Sequence, residues 1–335
     1  MAENTDRTQR ESRPSANPIR ACVLMVNMGG PENTAEVRPF IRSLFNDPCI
    51  MQIPGPVRWM VSTMLATFRA PNVRQHYEHI GGKSPLKALT AKQAEKTRDL
   101  LHKRFPDLVI RPAYSYSWPR IGEAVEQAIS DDFEKILVLP MYPQYSRATR
   151  GSIAHDLQKA VQRPEANNKI DVIEPYYDHP LYIKATVDLL HRALEKIDRD
   201  RPFRTVFTAH ALPQSYIDNG DPYREQIDKT IALVLDQVAL DNPVTSFQSK
   251  VGPVKWMHPS TIGTIRETGA LGFKQVLVIP IGFVCDHLET LYELDIELAE
   301  IAHEAGIETF VRGEVFNDHE IFIELMASCI IKALS

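Results

Sequence analysis

The chain has 335 residues, 44% of them apolar and 24% charged, with a formal net charge of −5 and a pI of about 6.1. This composition is typical of a globular protein with one large domain or two of ordinary size. The acidic balance, without basic runs or aromatic RNA-binding motifs, excludes nucleic acid as a partner. The cysteines form no C-x-x-C pair, which argues against a zinc ribbon and fits buried thiols in a reducing compartment.

The N-terminal residues 1–18 are polar and predict a disordered tail. They contain no apolar segment of the kind that a secretory signal requires, and no apolar run in the chain reaches membrane-spanning length. We therefore expect a cytoplasmic protein and leave peripheral contact with the inner membrane open.

The first apolar run, VLMVNMGGP from Val23, predicts a buried strand, and its glycines lack the dinucleotide-binding spacing. Residues 50–71, IMQIPGPVRWMVSTMLATFRAP, carry only Arg58 and Arg69 as charges. This segment is too short to span a bilayer. It could form a core helix, an apolar lip over a flat hydrophobic ligand, or a segment that dips into a membrane interface.

A helix is predicted next by TAKQAEKTRDLLHKRF, with Thr90 as its N-cap. The preceding GGKS at residues 81–84 is not a phosphate loop, because Tyr77 stands where that motif needs glycine.

Three further apolar runs predict buried strands: ILVLPMYPQYS from Ile136, TVFTAHALP from Thr205 and VLVIPIGFVCDH from Val276. Helical patterns lie between them, so an α/β fold with parallel sheets is expected. The second and fourth runs match at an offset of 140 residues, as Pro119 and Pro259 also do. We therefore predict two similar Rossmann-like, doubly wound domains, flanked by helices, with a cleft between them.

The predicted division places the N-terminal α/β domain at 19–170, with the apolar lip at about 50–70, and the C-terminal α/β domain at 171–316. Residues 317–335 are expected to form a helix that packs back on the N-terminal domain.

Ligands of open parallel sheets bind at the carboxyl ends of the strands. The loops expected there are residues 27–31, 142–146, 210–213 and 283–289. His210 ends the third run, and a histidine is the natural proton acceptor near neutral pH. A hydrogen-bonded structural histidine at a strand end is the alternative.

Residues 285–300, CDHLETLYELDIELAE, carry six carboxylates and no Lys or Arg. In an α-helix at about 100° per residue, five of them fall within an arc of roughly 80° and Asp295 points away. The five are Asp286, Glu289, Glu293, Glu297 and Glu300. Such a stripe is compatible with proton removal or metal handling near His210, or with a solvated helix face.

Several motifs, in order, resemble the ferrochelatase family over nearly the whole chain after residue 18. They are VLMVNMGGP, YEHIGGKSPL, YPQYS, AHALP, NGDPYREQ, QSKVGPVKWMHP and DHLETLYELDIE. The resemblance implies two domains with four-stranded parallel sheets around a porphyrin cleft. It also implies that ferrous iron is inserted into protoporphyrin IX to form haem, with both as substrates and no tightly bound cofactor.

The resemblance also implies roles for individual residues. His210 and Glu289 match the catalytic pair, which could also contact the metal, and Asp286, His287, Glu293 and Glu297 match a relay for metal or protons. The expected porphyrin contacts are Met28, Arg69, Tyr77, Ser84, Tyr116, Tyr142, Trp256 and Phe283.

Two departures from the family pattern bear on these expectations. Ser115 precedes Tyr116 where many members have arginine. Members with an iron–sulfur cluster have cysteine near YPQYS and in a C-terminal tail, whereas this chain has Arg147 and ends at Ser335, so no cluster is expected. The alternatives are a chelatase for coproporphyrin III or another metal and tetrapyrrole, or a non-catalytic haem or porphyrin carrier; the oligomeric state is left open.

Overall fold

The computed structural model describes residues 20–161 and 169–335, so the tail predicted at 1–18 lies outside the described residues. They form two parallel four-stranded sheets, as predicted. The strands are β1 (Ala21–Asn27), β2 (Val109–Tyr114), β3 (Lys135–Pro140), β4 (Ile170–Val172), β5 (Phe203–His210), β6 (Val244–Gln248), β7 (Gln275–Pro280) and β8 (Thr309–Arg312).

Helices connect the strands and cover both faces of each sheet. The α-helices are α1 (Val37–Phe45), α2 (Gly55–His79), α3 (Leu86–Leu101), α4 (Ile121–Ser130), α5 (Ser152–Ala160), α6 (Pro180–Leu194), α7 (Gln214–Asp218), α8 (Tyr223–Leu235), α9 (Thr261–Ala270), α10 (Ala299–Glu304) and α11 (Glu320–Leu334). A 3₁₀ turn lies at Thr34–Glu36, and π-helices lie at Arg147–Gly151 and Glu289–Leu298.

Strand β1 shows why the apolar runs form central strands. Val23 and Met25 face one apolar core, whereas Leu24 and Val26 face another on the opposite side of the sheet. Because successive side chains of a strand point to opposite faces, a strand covered on both sides must be apolar throughout.

The internal duplication predicted from the sequence is present in the structure. The sheets have the strand orders β2-β1-β3-β4 and β6-β5-β7-β8, which are the same order in the two halves. The prolines that match across the repeat, Pro119 and Pro259, lie two residues before the starts of α4 and α9. The first half is longer because α1 and α2 are inserted between β1 and α3.

The inserted helix α2 is not a core helix, so that alternative for residues 50–71 is wrong. Its small residues Ser62, Ala66 and Ala70 are buried against α1. Trp59, Met60, Met64 and Phe68 are instead 51–79% exposed. These four side chains are the exposed part of the apolar lip that was predicted at about 50–70, and the name is used for them below.

The predicted start of α3 at Thr90 is also wrong, because the helix begins four residues earlier, at Leu86. The Thr90 hydroxyl is buried and donates to the Leu86 carbonyl oxygen at 2.8 Å instead of capping the helix. A hydroxyl can satisfy itself in this way inside a helix, which the pattern of Thr90 alone does not reveal.

Near the junction of the two halves, helices α6 and α11 each pack on a sheet and on each other. The first sheet extends to Val172, two residues beyond the boundary at 170, and α6 then packs on β7 of the second sheet. Helix α11 packs on α3 and β3 of the first half and against α6. The Lys135 ammonium donates to the Ala333 carbonyl oxygen at 2.7 Å.

Among the residues that the structure describes, no helix combines the length and the apolar character that a bilayer-crossing segment needs.

Candidate active site

Three neighbouring strands of the second sheet bring polar side chains together at their carboxyl ends. His210 is the last residue of β5, Ser249 directly follows β6, and the loop after β7 leads to Glu289. Because β5 lies between β6 and β7, these three side chains converge on one point. This is the edge at which parallel sheets bind ligands.

His210 and Glu289 form the central contact of the site, with Nδ1 and Oε2 2.8 Å apart. A carboxylate accepts only, so the imidazole donates its Nδ1–H to Glu289. Loss of hydration disfavours the imidazolium, but the charge and hydrogen bond of Glu289 outweigh this effect and raise the pKa of His210. Once the ring is neutral, Nε2 carries the free lone pair.

Glu289 experiences the opposite balance. Burial alone would raise its pKa, but the charge of His210 and their hydrogen bond outweigh burial and hold the pKa of Glu289 well below its usual range. The side chain is 19% exposed. The pair therefore combines a titratable imidazole with a carboxylate that stays ionised, which is an arrangement suited to proton transfer.

Ser249 links this pair to a second carboxylate. Its hydroxyl lies 3.4 Å from Glu289 Oε2 and makes a short hydrogen bond to Glu293 Oε2. Burial, followed by the negative charge of Glu289, raises the pKa of Glu293 well above its usual range. Glu293 is therefore the carboxyl of this site that holds a proton near neutral pH.

His287 lies beside the pair as a buried neutral imidazole. Burial is the largest influence and lowers its pKa. Its Nδ1 is 3.2 Å from the Cys285 carbonyl oxygen, which makes Nδ1 the protonated nitrogen. Nε2 then faces Glu289 Oε2 at 3.9 Å, and the ring packs against Phe283 with centroids 5.2 Å apart.

The predicted α-helical stripe of five acids is wrong in its geometry. Glu289–Leu298 is a π-helix, which has a wider turn than the α-helix assumed, and Asp286 lies before it. Asp286 accepts from Asn317 Nδ2 at 2.7 Å and from Arg312 at 3.3 Å. Arg312 also makes two 2.7 Å bonds to Asp295, so the two acids share a cation.

Other predicted residues approach the site from the first half. Burial, followed by the charge of Glu289, raises the pKa of both Tyr77 and Tyr142. Both phenols therefore respond to the charge of Glu289. Met28 is partly buried after β1, and Ser84 is buried in contact range of Gly30.

The remaining predicted residues make no hydrogen bond to His210 or Glu289 among the described residues. The Tyr116 hydroxyl donates to Asp47 at 2.8 Å, and Arg69 lies 5.8 Å from the Phe45 ring. Trp256 is partly buried, with an indole N–H that has no partner among the described residues. Glu297 is exposed.

Sequence reasoning missed Ser249, Gln248 and Arg312. Gln248 donates to the Glu289 carbonyl oxygen at 3.2 Å and so fixes the start of the π-helix. Gln248 and Ser249 could have been found from their position, because both lie at the carboxyl end of β6, where ligands of a parallel sheet bind. Arg312 gave no local signal, because its partners lie 17 and 26 residues away.

No three His, Cys, Asp or Glu side chains in residues 20–161 and 169–335 are arranged to hold a metal ion.

The fold, two α/β halves with parallel four-stranded sheets, is shared with solved structures of chelatases. The structure resembles SirB from Bacillus subtilis, solved with Fe³⁺, with a TM-score of 0.54 and 11% identity over 94% of this chain and 96% of that one. It also resembles CbiX, the terminal enzyme of sirohaem biosynthesis in denitrifying bacteria, with a TM-score of 0.50 and 14% identity over 94% and 100% of the two chains. At these identities the likeness concerns the fold.

Sequence comparison identifies the family. The ferrochelatase family model matches residues 20–334. The ferrochelatase of Citrifermentans bemidjiense is 38% identical over 312 residues, covering 93% of this chain and 98% of that protein. The ferrochelatase of a Picosynechococcus strain is 38% identical over 322 residues, covering 94% and 83% of the two proteins. The chain belongs to the ferrochelatase family.

Proposed function

We propose that this protein inserts Fe²⁺ into protoporphyrin IX to form protohaem, with His210 as the base that removes the pyrrole protons. Membership of the ferrochelatase family supports metal insertion into a porphyrin for haem synthesis. The single observation that supports the role of His210 is its 2.8 Å contact with the ionised Glu289 at the carboxyl ends of the strands.

The reaction exchanges two pyrrole protons for one dication. Bending the macrocycle turns a nitrogen lone pair out of the ring plane, and porphyrin binding supplies the energy for that distortion. His210 Nε2 accepts a pyrrole proton, and the imidazolium is stabilised by Glu289. The ring then passes its Nδ1 proton transiently to Glu289 Oε2, which releases it again, and the ring must return from the Nε2–H to the Nδ1–H tautomer before Nε2 accepts the second pyrrole proton.

The protons leave through Ser249 in this proposal. Ser249 accepts from Glu289 and donates to Glu293 after Glu293 has released its own proton towards the exposed Glu297. The raised pKa of Glu293 supports this step, because a carboxyl that binds a proton near neutral pH can also pass it on. Asp286 is not included, since Arg312 and Asn317 hold it.

Fe²⁺ enters the account as a substrate, not as a resident cofactor. His210 and Glu289 could ligate it in passing, and Glu293 and Glu297 could supply weak oxygen ligands on the way. Two or three nitrogen and carboxylate ligands hold ferrous iron less firmly than a full N and S ligand set. Such a weak site would release the metal to the porphyrin nitrogens.

The porphyrin would lie between the two halves. We propose contacts from Met28, Arg69, Tyr77, Ser84, Tyr116, Tyr142, Trp256 and Phe283. The Tyr116 hydroxyl is occupied by Asp47, so only its ring is available for this purpose.

The apolar lip favours protoporphyrin IX over coproporphyrin III, because additional propionates would need cationic partners. The same exposed side chains could touch a membrane interface from the cytoplasmic side. Vesicle sedimentation with Phe68→Ser tests that contact. The variant should bind less, and equal sedimentation of both proteins would remove the membrane from the account.

The test of the function is anaerobic metallation followed by absorbance, with protoporphyrin IX or coproporphyrin III and Fe²⁺. The unaltered protein should convert protoporphyrin IX faster, and His210→Ala should lose about 10²-fold in rate. His102→Ala, a change of an exposed histidine just beyond α3, is the matched control and should retain full activity. Tight porphyrin binding without conversion by the unaltered protein would indicate a carrier and contradict the proposal.

A further inference from the structure

We infer that Gln93, a fully buried side chain of the first half, positions the catalytic loop of the second half. The inference rests on the proposed function, since it concerns how Glu289 and His287 are held. Gln93 lies in the middle of α3 and has no exposed surface. Its partners are 191 to 224 residues away in sequence.

Gln93 uses both sides of its amide to hold two segments of the second half, the loop before the π-helix and the turn at Asn317. Its Nε2 donates to the Val284 carbonyl oxygen at 3.1 Å and to the Asn317 carbonyl oxygen at 2.6 Å. Its Oε1 accepts from the Cys285 thiol at 3.3 Å. Only an amide offers two N–H donors and an acceptor at this length, and a glutamate there would face two carbonyl oxygens without a donor.

Asn317 carries the constraint from Gln93 to the loop. Its Oδ1 accepts from the Asp286 backbone N–H at 2.8 Å, and its Nδ2 donates to Asp286 Oδ2 at 2.7 Å. Asp286 Oδ1 accepts from the Thr290 hydroxyl at 2.8 Å, and that hydroxyl accepts from the His287 backbone N–H at 3.0 Å. The chain of hydrogen bonds therefore reaches the residues on both sides of Glu289.

The same helix also holds the opposite wall of the proposed site. One turn before Gln93, Thr90 accepts from Asn27 Nδ2 at 3.2 Å, directly before Met28. Ser84 precedes the helix, and its hydroxyl accepts from the Leu86 N–H at 3.3 Å. Helix α3 is thus a rigid spacer that sets the distance between the first-half wall and the second-half pair. In this account Gln93 is a positioning residue and contacts neither substrate.

Gln93→Met tests the inference because it keeps the length of the side chain and removes both bonds of the amide donor. The Asn317 carbonyl oxygen then loses its donor, whereas the Val284 carbonyl oxygen keeps only its bond to the Asn317 N–H at 3.1 Å. Thr97→Val is the matched control. Thr97 is one turn further along the same buried face, but its hydroxyl donates only to the Gln93 carbonyl oxygen of its own helix. Asn317→Gly is the second variant, since Asn317 has a φ of +47° that glycine adopts readily.

Two readouts are measured on the full-length protein. The first is kcat and KM for protoporphyrin IX, and the second is the NMR shifts of the His287 ring. Gln93→Met and Asn317→Gly should each lower kcat about tenfold or more with little change in KM, because displacing Glu289, the partner of the proposed base His210, loses transition-state stabilisation. Both should shift the His287 resonances, and the double variant should be no worse than the more severe single one.

Thr97→Val should lose thermal stability without either change. The inference is overturned if Gln93→Met and Asn317→Gly retain the kcat and the His287 shifts of Thr97→Val. An unaltered protein that does not metallate porphyrin would contradict the proposed function instead, and the His287 shifts would still decide the role of Gln93.

Discussion

At the scale of single residues, the site depends on how one hydroxyl is placed between two carboxylates. Ser249 has a φ of +65°, a conformation that side chains rarely adopt and glycine adopts freely. Its hydroxyl contacts both Glu289 and Glu293. The strained backbone directly beside the proposed catalytic pair, His210 and Glu289, supports a function for this serine.

Ser249→Gly removes the hydroxyl while relieving the backbone, so it should slow turnover without destabilising the protein. Porphyrin affinity should not change, because the hydroxyl acts only on proton release. Steady-state kinetics and fluorescence titration of porphyrin measure the two effects. Asn242→Gly is the control, since Asn242 has a φ of +50° outside the site. Equal turnover in both glycine variants would exclude Ser249 from the proton route.

The two acids of the proposed exit should not contribute equally. Glu293 is partly buried and bonded to Ser249, whereas Glu297 is exposed. Glu293→Gln should therefore reduce the metallation rate strongly and Glu297→Gln mildly, both without loss of porphyrin affinity. Glu300→Gln, another exposed acid of this segment, is the control. An unchanged rate in Glu293→Gln would show that these acids form only a solvated face of the segment and carry no protons.

At the scale of elements, Arg312 fixes the π-helix from the edge of the second sheet. The guanidinium is 11% exposed and binds Asp295 within the π-helix and Asp286 before it. The attraction of two carboxylates compensates a buried guanidinium for the hydration energy that it loses. Arg312, which ends the neighbouring strand β8, thus partly neutralises the charges of Asp286 and Asp295.

Replacing this arginine should therefore be costly. Arg312→Met leaves two carboxylates unpaired and should lower the free energy of unfolding by about 3 kcal/mol. The control is Arg201→Met, which breaks the exposed pair with Glu308 and should cost far less, because solvent screens that pair. Urea denaturation measures both. Similar costs for the two variants would mean that Arg312 does not stabilise the π-helix.

Individual elements show what the sequence could and could not predict. The apolar run around Val23 predicted a strand because its pattern is local, and the repeat of Pro119 at Pro259 predicted the duplication because the two halves can be compared directly in the sequence. The start of α3 was missed because the Thr90 hydroxyl bonds to Leu86 within its own helix instead of capping it. The π-helix was missed because the Glu289 carbonyl oxygen is held by Gln248, which only the fold brings near.

At the scale of the whole molecule, the two halves share a continuous apolar core. Val23 and Leu137 of the first sheet belong to the same cluster as Phe207 and Leu277 of the second. Helices α6 and α11 pass between the halves and pack on each other. We propose on this basis that residues 317–335 are part of the N-terminal domain's packing, and that the halves unfold together.

Phe322 tests this cooperation. Its ring is fully buried in α11 and stacks on Phe316 with centroids 4.7 Å apart. Phe322→Ala should lower the free energy of unfolding by about 3–5 kcal/mol and keep a single transition in calorimetry. Ile331→Ala, a partly buried site of the same helix, is the control and should cost less. Two separate transitions in the variant would show that the halves unfold independently.

The central claim is that Glu289 tunes His210 to take a pyrrole proton. Glu289 raises the pKa of His210 against the effect of burial, and only the neutral ring accepts a proton, so the rate should rise with pH through a pKa above the ordinary value. Glu289→Gln removes the negative charge that raises the pKa of His210, and the burial that lowers this pKa remains.

The most direct test is the pH dependence of single-turnover metallation, measured by anaerobic stopped-flow absorbance in the unaltered protein and in Glu289→Gln. The account predicts that the acidic limb of the profile moves to lower pH in the variant, with a smaller maximal rate. A limb that stays in place in Glu289→Gln would contradict the claim that this carboxylate sets the pKa of the catalytic histidine.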